Sequence, residues 1–152
     1  MKRFLLIAIL SIAVFSCDED DNDCVDTVFV TTSLEEVYGC VDTENEMYVP
    51  SAAENTYTVI TNQADFESQV EGTCMPEIDF EMYDLIIGNY VLTSGYSNII
   101  YELSEDCDSQ ELELDVTFNI TDVAVTQDVT YHVLTPKLEN VAGLTVDIDE
   151  ED

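Results

Sequence analysis

The chain has 152 residues, of which 34 are acidic and only three are lysine or arginine, giving a formal net charge of −31. Such a surface repels nucleic acid and anionic lipid headgroups, because both are bound through lysine and arginine. A hydrophobic share of 46%, with eight Tyr and six Phe, excludes a disordered chain and fits one domain with a packed core.

Lys2 and Arg3 precede an almost wholly apolar run from Phe4 to Phe15. The run is too short to cross a bilayer core of about 30 Å, which needs about 20 apolar residues. It fits the h-region of a secretory signal peptide, expected over residues 1–16. Val14-Phe15-Ser16-Cys17 is similar to a bacterial lipobox, whose cysteine is acylated and becomes the first residue. The expectation is lipidation at Cys17 and an outer membrane lipoprotein exposed at the cell surface, since two acyl chains suffice for stable anchoring. Residues 17–25 read as an acidic tether, because the like charges of Asp18 to Asp23 repel and extend the segment. This run is also similar to the one that directs some outer-membrane lipoproteins to the cell surface. It is not read as a calcium loop: an EF-hand needs glycine at its sixth position, where Asp23 stands. Beyond the signal peptide, Lys137 is the one basic side chain against all 34 acids.

Cys24, Cys40, Cys74 and Cys107 remain, an even number in an exported chain, which predicts two disulfides. Three connectivities exist; Cys24–Cys40 with Cys74–Cys107 is favoured because each closes a modest loop. A zinc site is disfavoured, since no pair has the short spacing that zinc ribbons use.

A single domain is expected over residues 26–148, followed by a frayed acidic tail, 149–152. Thr27 to Thr32 reads as a short strand. Residues 33–56 read as irregular, with Gly39, Pro50 and Ser51 as breakers. Tyr57 to Thr61 is a strand, and Asn62 caps a short helix that buries Phe66 and Val70. Asp84 to Leu103 reads as two strands folded on a Thr93-Ser94-Gly95 turn. The first, with its run Leu85-Ile86-Ile87, is buried on both faces, and Gly88 marks a bulge or a close backbone approach. From Glu111 to Ile120, Leu112, Leu114, Val116 and Phe118 alternate with Glu113, Asp115, Thr117 and Asn119, the pattern of a strand buried on one face. Val129 to Leu134 and Leu144 to Ile148 complete the set. These elements predict a mainly β fold: an antiparallel β-sandwich or open barrel of about seven strands with one short α-helix.

Catalytic groups are sparse. His132 is the sole histidine, and regular alternation puts it on the face opposite Val129, toward solvent or a sheet edge. No serine is tied to it as a triad requires. Several His or Cys ligands for a hydrolytic metal are lacking, and no phosphate loop or dinucleotide fingerprint is present. No cofactor, no metal and no enzymatic activity are expected.

A set of short motifs carries a resemblance. These are Val59-Ile60-Thr61-Asn62-Gln63-Ala64-Asp65-Phe66, Ile78-Asp79-Phe80, Tyr83-Asp84-Leu85-Ile86-Ile87-Gly88, Ser94-Gly95-Tyr96-Ser97 and Thr130-Tyr131-His132-Val133-Leu134-Thr135-Pro136-Lys137. In order they resemble the C-terminal domain of the protease-complex subunit PrcB and related small lipoproteins, over residues 57–148. In that family a Gly-Gly-Tyr turn joins two central strands and a Pro-Tyr-His-like strand precedes Pro-Lys; here one glycine and Thr130 take those places. The resemblance implies a non-catalytic protein that binds or stabilises a surface protease. The candidate binding residues are Thr93, Ser94, Gly95, Tyr96 and Ser97 of the turn with Pro136 and Lys137. The alternative is an acidic module that binds cations or glycans through Glu111, Glu113 and Asp115.

Overall fold

The computed structural model describes residues 24–51 and 55–152. The expected signal peptide over residues 1–16, Cys17 and the acidic run 18–23 lie outside the described residues. In chain order the elements are β1 (Thr27–Phe29), α1 (Leu34–Tyr38), α2 (Thr43–Glu46), β2 (Met47–Tyr48), β3 (Tyr57–Ile60), α3 (Gln63–Gln69), β4 (Glu71–Gly72), β5 (Tyr83–Glu105), β6 (Leu112–Pro136), a 3₁₀ turn (Val141–Gly143) and β7 (Leu144–Glu151). The chain is mainly β with a little helix, as its patterning predicts.

Two long strands make the frame. β5 and β6 pair antiparallel from Tyr83↔Pro136 to Glu105↔Leu112. The reversal between them is at Asp106–Glu111, where Gln110 takes a left-handed φ of 57°. The expected Thr93-Ser94-Gly95 turn is therefore not a turn. The ladder runs through it with register shifts between Leu92 and Ser94, Ser94 and Gly95, and Tyr96 and Asn98. Unpaired extra residues bend a strand without reversing it, so turn-forming residues serve here as bulges. The stretches 111–120 and 129–134, expected as separate strands, are one strand for the same reason.

The bend folds the hairpin over its own inner face. Leu112, Leu114, Val116 and Phe118 of one half pack with Ile86, Leu92, Val129, Tyr131 and Val133 of the other. This inner cluster is the sandwich-like core. A second cluster lies on the outer face of the 83–92 half, where Leu85, Ile87 and Leu134 meet Leu34, Met47, Ile60, Phe66 and Ile78. Leu85, Ile86 and Ile87 are each fully buried. Successive side chains of a strand point to opposite faces, so this unbroken apolar run serves both clusters.

Smaller strands line the frame. β1 pairs with Leu103–Glu105, and β3 with Leu85–Gly88. β7 runs parallel to β6, from Leu112↔Leu144 to Asn119↔Glu151. The expected fraying of the acidic tail is thus corrected as far as Glu151. A parallel connection normally needs a crossover of a dozen or more residues. Here the bend carries the end of β6 back beside its own start, where Leu138 joins Leu112 in the core, and residues 137–143 suffice. Two single contacts tie remaining gaps: Thr32 exchanges both backbone hydrogen bonds with Leu134, and the Tyr57 hydroxyl donates to the Leu144 carbonyl.

Gly88 is a close approach. A Cβ there would overlap the Tyr131 ring and stand 2.6 Å from the Thr56 carbonyl oxygen. The Asn62 cap forms as expected, its side chain accepting from the Asp65 N–H, and Phe66 and Val70 are buried. The irregular stretch expected over 33–56 is corrected: it holds α1, α2 and β2. Ser33 accepts from the Glu36 N–H, and Gly39 closes α1 at a φ of 71°, a conformation that glycine adopts without steric cost. The favoured disulfide pairing is also corrected. Cys24 bonds Cys107 and Cys40 bonds Cys74. Pairing of β1 with the end of β5 sets Cys24 beside Cys107, and pairing of β2 with β4 brings the flanks holding Cys40 and Cys74 together.

Candidate functional site

The bend leaves one seam of the sheet open. Among the described strands, β5 is paired only on its β6 side between Leu92 and Glu102. Beyond Asn119, where β7 stops, the outer edge of β6 meets no described strand until the single bridge of Leu134 to Thr32. The chain 30–33 straps from β1 across to β6, and α1 and α2 follow over the gap. The result is a cleft of about 500 Å³ whose walls include Thr32, Glu35, Glu44, Ile99, Tyr101 and His132.

A polar network pegs this seam. His132 is only 2% exposed, which corrects the expectation of a solvent-facing or edge imidazole. Its position on the face opposite Val129 is as the alternation predicts, but that face is covered by α1 and α2. The His132 Nε2 lies 3.2 Å from Glu35 Oε2 and 3.2 Å from Thr43 Oγ1. The Thr43 hydroxyl donates to the other Glu35 oxygen, and the His132 backbone N–H donates to the Tyr101 hydroxyl at 3.2 Å. Tyr96 donates to Glu44 at 2.7 Å. Burial pushes the Glu35 carboxyl up, but the hydrogen bonds from His132 and Thr43 and the His132 charge outweigh it and bring it down to about 2. Tyr96 is pushed up by burial, then by Glu44, and Tyr101 is pushed up chiefly by burial.

This geometry is a clamp. A catalytic histidine presents one ring nitrogen to the acid and the other to the nucleophile. Here Nε2 meets Glu35, Thr43 Oγ1 lies 3.2 Å from Nε2 and 3.5 Å from Nδ1, and Thr43 is 1% exposed and hydrogen-bonded to Glu35 itself. The network fixes α1 and α2 to β6.

The predicted binding residues are not brought together. Pro136 pairs with Tyr83 at one end of β5, and about 30 Å of extended strand separates that end from Thr93–Ser97 at the bend. Lys137 is paired within the chain: its Nζ lies 2.5 Å from Asp84 Oδ1, whose side chain is fully buried, while the lysine side chain stays 45% exposed. The Leu138 N–H donates to the other Asp84 oxygen at 2.9 Å. Of the turn residues, Thr93 and Ser97 are exposed, while Ser94 and Gly95 are half-buried in the bulged ladder. Tyr96 packs edge-on against Phe118 and reaches the seam network through Glu44.

A third feature lies on the outer face of the sheet. Glu102, Asp115 and Asp147 stand directly opposite one another across β5, β6 and β7. Carboxylate oxygens of Glu113, Asp115 and Asp147 all lie within 4.8 Å of one another. Burial, then the charges of Asp147, Glu102 and Asp149, raise the Asp115 carboxyl above the usual carboxylate range. Glu113 and Asp115 were expected on this face. Glu111 lies just before β6 and outside the group, and Asp147 enters it through the parallel pairing. Glu35, Thr43 and Glu44 escaped the sequence reading because their helices are too short for a periodic pattern; Ser33 three residues before Glu36, with Gly39 after, is the signal that marks α1.

Comparison with family models, with curated protein sequences and with solved structures returned no match.

Proposed function

We propose that this is a non-catalytic lipoprotein, acylated at Cys17 and displayed on the outer-membrane surface, that binds a protein partner. The observation that carries the reading is the open seam: two strand edges with an acidic cleft between them, on a frame whose sole histidine is committed to a structural clamp. The motif resemblance adds a surface protease or its complex as the class of partner. The lipobox and the two disulfides support export to an oxidising compartment. The test has two arms. Metabolic labelling with an alkyne fatty acid should tag the wild-type chain and not Cys17→Ser, and external protease should digest the domain on intact cells. Affinity capture from detergent-solubilised membranes should retain one stoichiometric partner; repeated recovery of the bait alone would overturn the reading.

A second reading is favoured by the carboxylate group Glu113, Asp115 and Asp147, which suits a hard divalent cation bound by oxygen ligands. Calcium in the millimolar range should then raise the melting temperature of the wild type and leave Asp115→Asn unmoved. No thermal shift and no calorimetric heat would remove this reading.

A further inference from the structure

We infer that the seam between β5 and β6 receives an extended partner segment carrying lysine or arginine, which adds as a strand and places its cation over the acidic rim. The inference rests on the protein-binding reading above and names the partner chemistry of that site.

The backbone makes the first part of the case. Alternate N–H and C=O groups on an unpaired strand edge point away from its neighbour and template another strand. From Leu92 to Glu102 the free edge of β5 has no described strand beside it, and neither has β6 from Ile120 to Val133. The contact that pegs the gap directly is a side-chain one, the Tyr101 hydroxyl accepting from the His132 N–H. An incoming strand gains main-chain hydrogen bonds from such edges, and side-chain pockets give it selectivity.

Charge selects the occupant. Glu35, Glu36, Asp42 and Glu44 all line the cleft. Lys137, the one lysine or arginine among the described residues, is held by Asp84 and lines a different pocket, beside Phe29 and Leu112. His132 serves Glu35. Glu36, Asp42 and Glu44 accept hydrogen bonds from Thr32, Asn45 and Tyr96, but no cation among the described residues neutralises them, so a cationic partner segment supplies the complementary charge. The floor, Ile99 with the Tyr101 ring, suits the apolar stem of a lysine or arginine whose head reaches the carboxylates. Like charge also excludes a second copy of this chain as the occupant.

The test uses the detergent-solubilised full-length protein and a fluorescein-labelled hexapeptide, Thr-Lys-Val-Lys-Val-Thr, read by anisotropy at about 0.15 M salt. Saturable binding is expected. Replacing the lysines by norleucine, or N-methylating alternate peptide amides, should each weaken it about tenfold or more. The rim variant Glu36→Gln/Asp42→Asn/Glu44→Gln should weaken it about tenfold, and Glu113→Gln/Asp115→Asn on the outer face should not. Hydrogen exchange should slow at Asn98–Glu102 on binding. Absence of binding, indifference to N-methylation, or equal weakening by the two variants overturns the inference. The membrane capture separates the two levels. If wild type and rim variant retain the same partner equally, the protein-binding reading stands and the seam is not its site. If neither retains a partner, the reading itself fails.

Discussion

Replacing Lys137 by methionine isolates the one lysine or arginine among the described residues. The substitution keeps the apolar stem and removes the ammonium that lies 2.5 Å from Asp84 Oδ1. Asp84 is fully buried and accepts one further hydrogen bond, from the Leu138 N–H. Breaking a fully buried pair costs about 3–5 kcal/mol, because it strands a charge away from water. Lys137 is 45% exposed, so water replaces part of the lost interaction, and about 2–3 kcal/mol is the expected loss. At about 2–4 °C per kcal/mol for a domain of this size, the melting temperature should fall by roughly 4–12 °C. Asp84→Asn/Lys137→Met removes both charges while keeping an acceptor for Leu138. It should be more stable than the sum of the two single changes implies, by about 2 kcal/mol of coupling. Urea unfolding of the four proteins, with the slope compared, supplies the measurement. A loss under about 0.5 kcal/mol for Lys137→Met, or strict additivity, would refute the view that Lys137 serves Asp84.

Gly88→Ala should destabilise by about 2–3 kcal/mol through overpacking, and Tyr131→Phe should not rescue it, because the Thr56 carbonyl remains in the way; thermal melts decide. Glu35 has a carboxyl lowered from 4.5 to about 2 in the fold, so its stabilising share is present above about pH 4.5 and lost as pH falls toward 2. After discounting for its partial exposure, the share is about 1–2 kcal/mol, and urea midpoints of wild type and Glu35→Gln should differ at pH 5 and converge near pH 2. Proteolysis under non-reducing conditions should release Cys24–Cys107 and Cys40–Cys74 peptides, and a Cys24–Cys40 peptide would contradict the fold. Loss of the two bridges has chain-entropy ceilings of about 4.5 and about 4 kcal/mol, the larger for the separation of 83 residues. Asp115→Asn should raise stability by about 0.5–1 kcal/mol at low salt, by removing like charges that face each other across three strands. The gain should shrink in about 1 M salt, where screening acts within about 3 Å.

What the sequence makes legible is whatever a short window decides. Alternation from Leu112 to Phe118 tells which face of β6 is buried, and the run Leu85-Ile86-Ile87 tells that β5 is buried twice. Asn62 ahead of Asp65 marks a helix start, and Gly88 marks a crowded backbone. What it hides is set by partners distant in the chain. Thr93-Ser94-Gly95 carries turn chemistry, but a continuous ladder to β6 turns it into bulges, since each residue that pairs across the bend lowers the free energy of staying extended. His132 alternates as expected, yet whether its face meets water depends on α1 and α2. Spacing likewise favoured two modest loops, Cys24–Cys40 and Cys74–Cys107, whereas strand pairing joins Cys24 to Cys107 across 83 residues and so leaves Cys40 to Cys74. The candidate site suffers most, because a seam is made by what fails to pair, and no residue in the sequence records that.

The seam and the charge belong to one argument. A strand edge left open is a template for unwanted pairing, and proteins guard such edges with charged side chains. Here the strap 30–33 leaves β5 at Leu103 and meets β6 at Leu134, so it bridges the gap at one end only. Glu35, Glu36, Asp42 and Glu44 surround the remainder. Against another copy of a chain with net charge −31 these carboxylates are repulsive, and repulsion over a free edge opposes edge-to-edge association without any residue having to block the edge sterically. A guard that is purely electrostatic admits one kind of visitor, a strand of the opposite charge. With Glu35 held by His132, Glu36, Asp42 and Glu44 are the charges that oppose a like-charged strand and, on the inference above, receive an oppositely charged one.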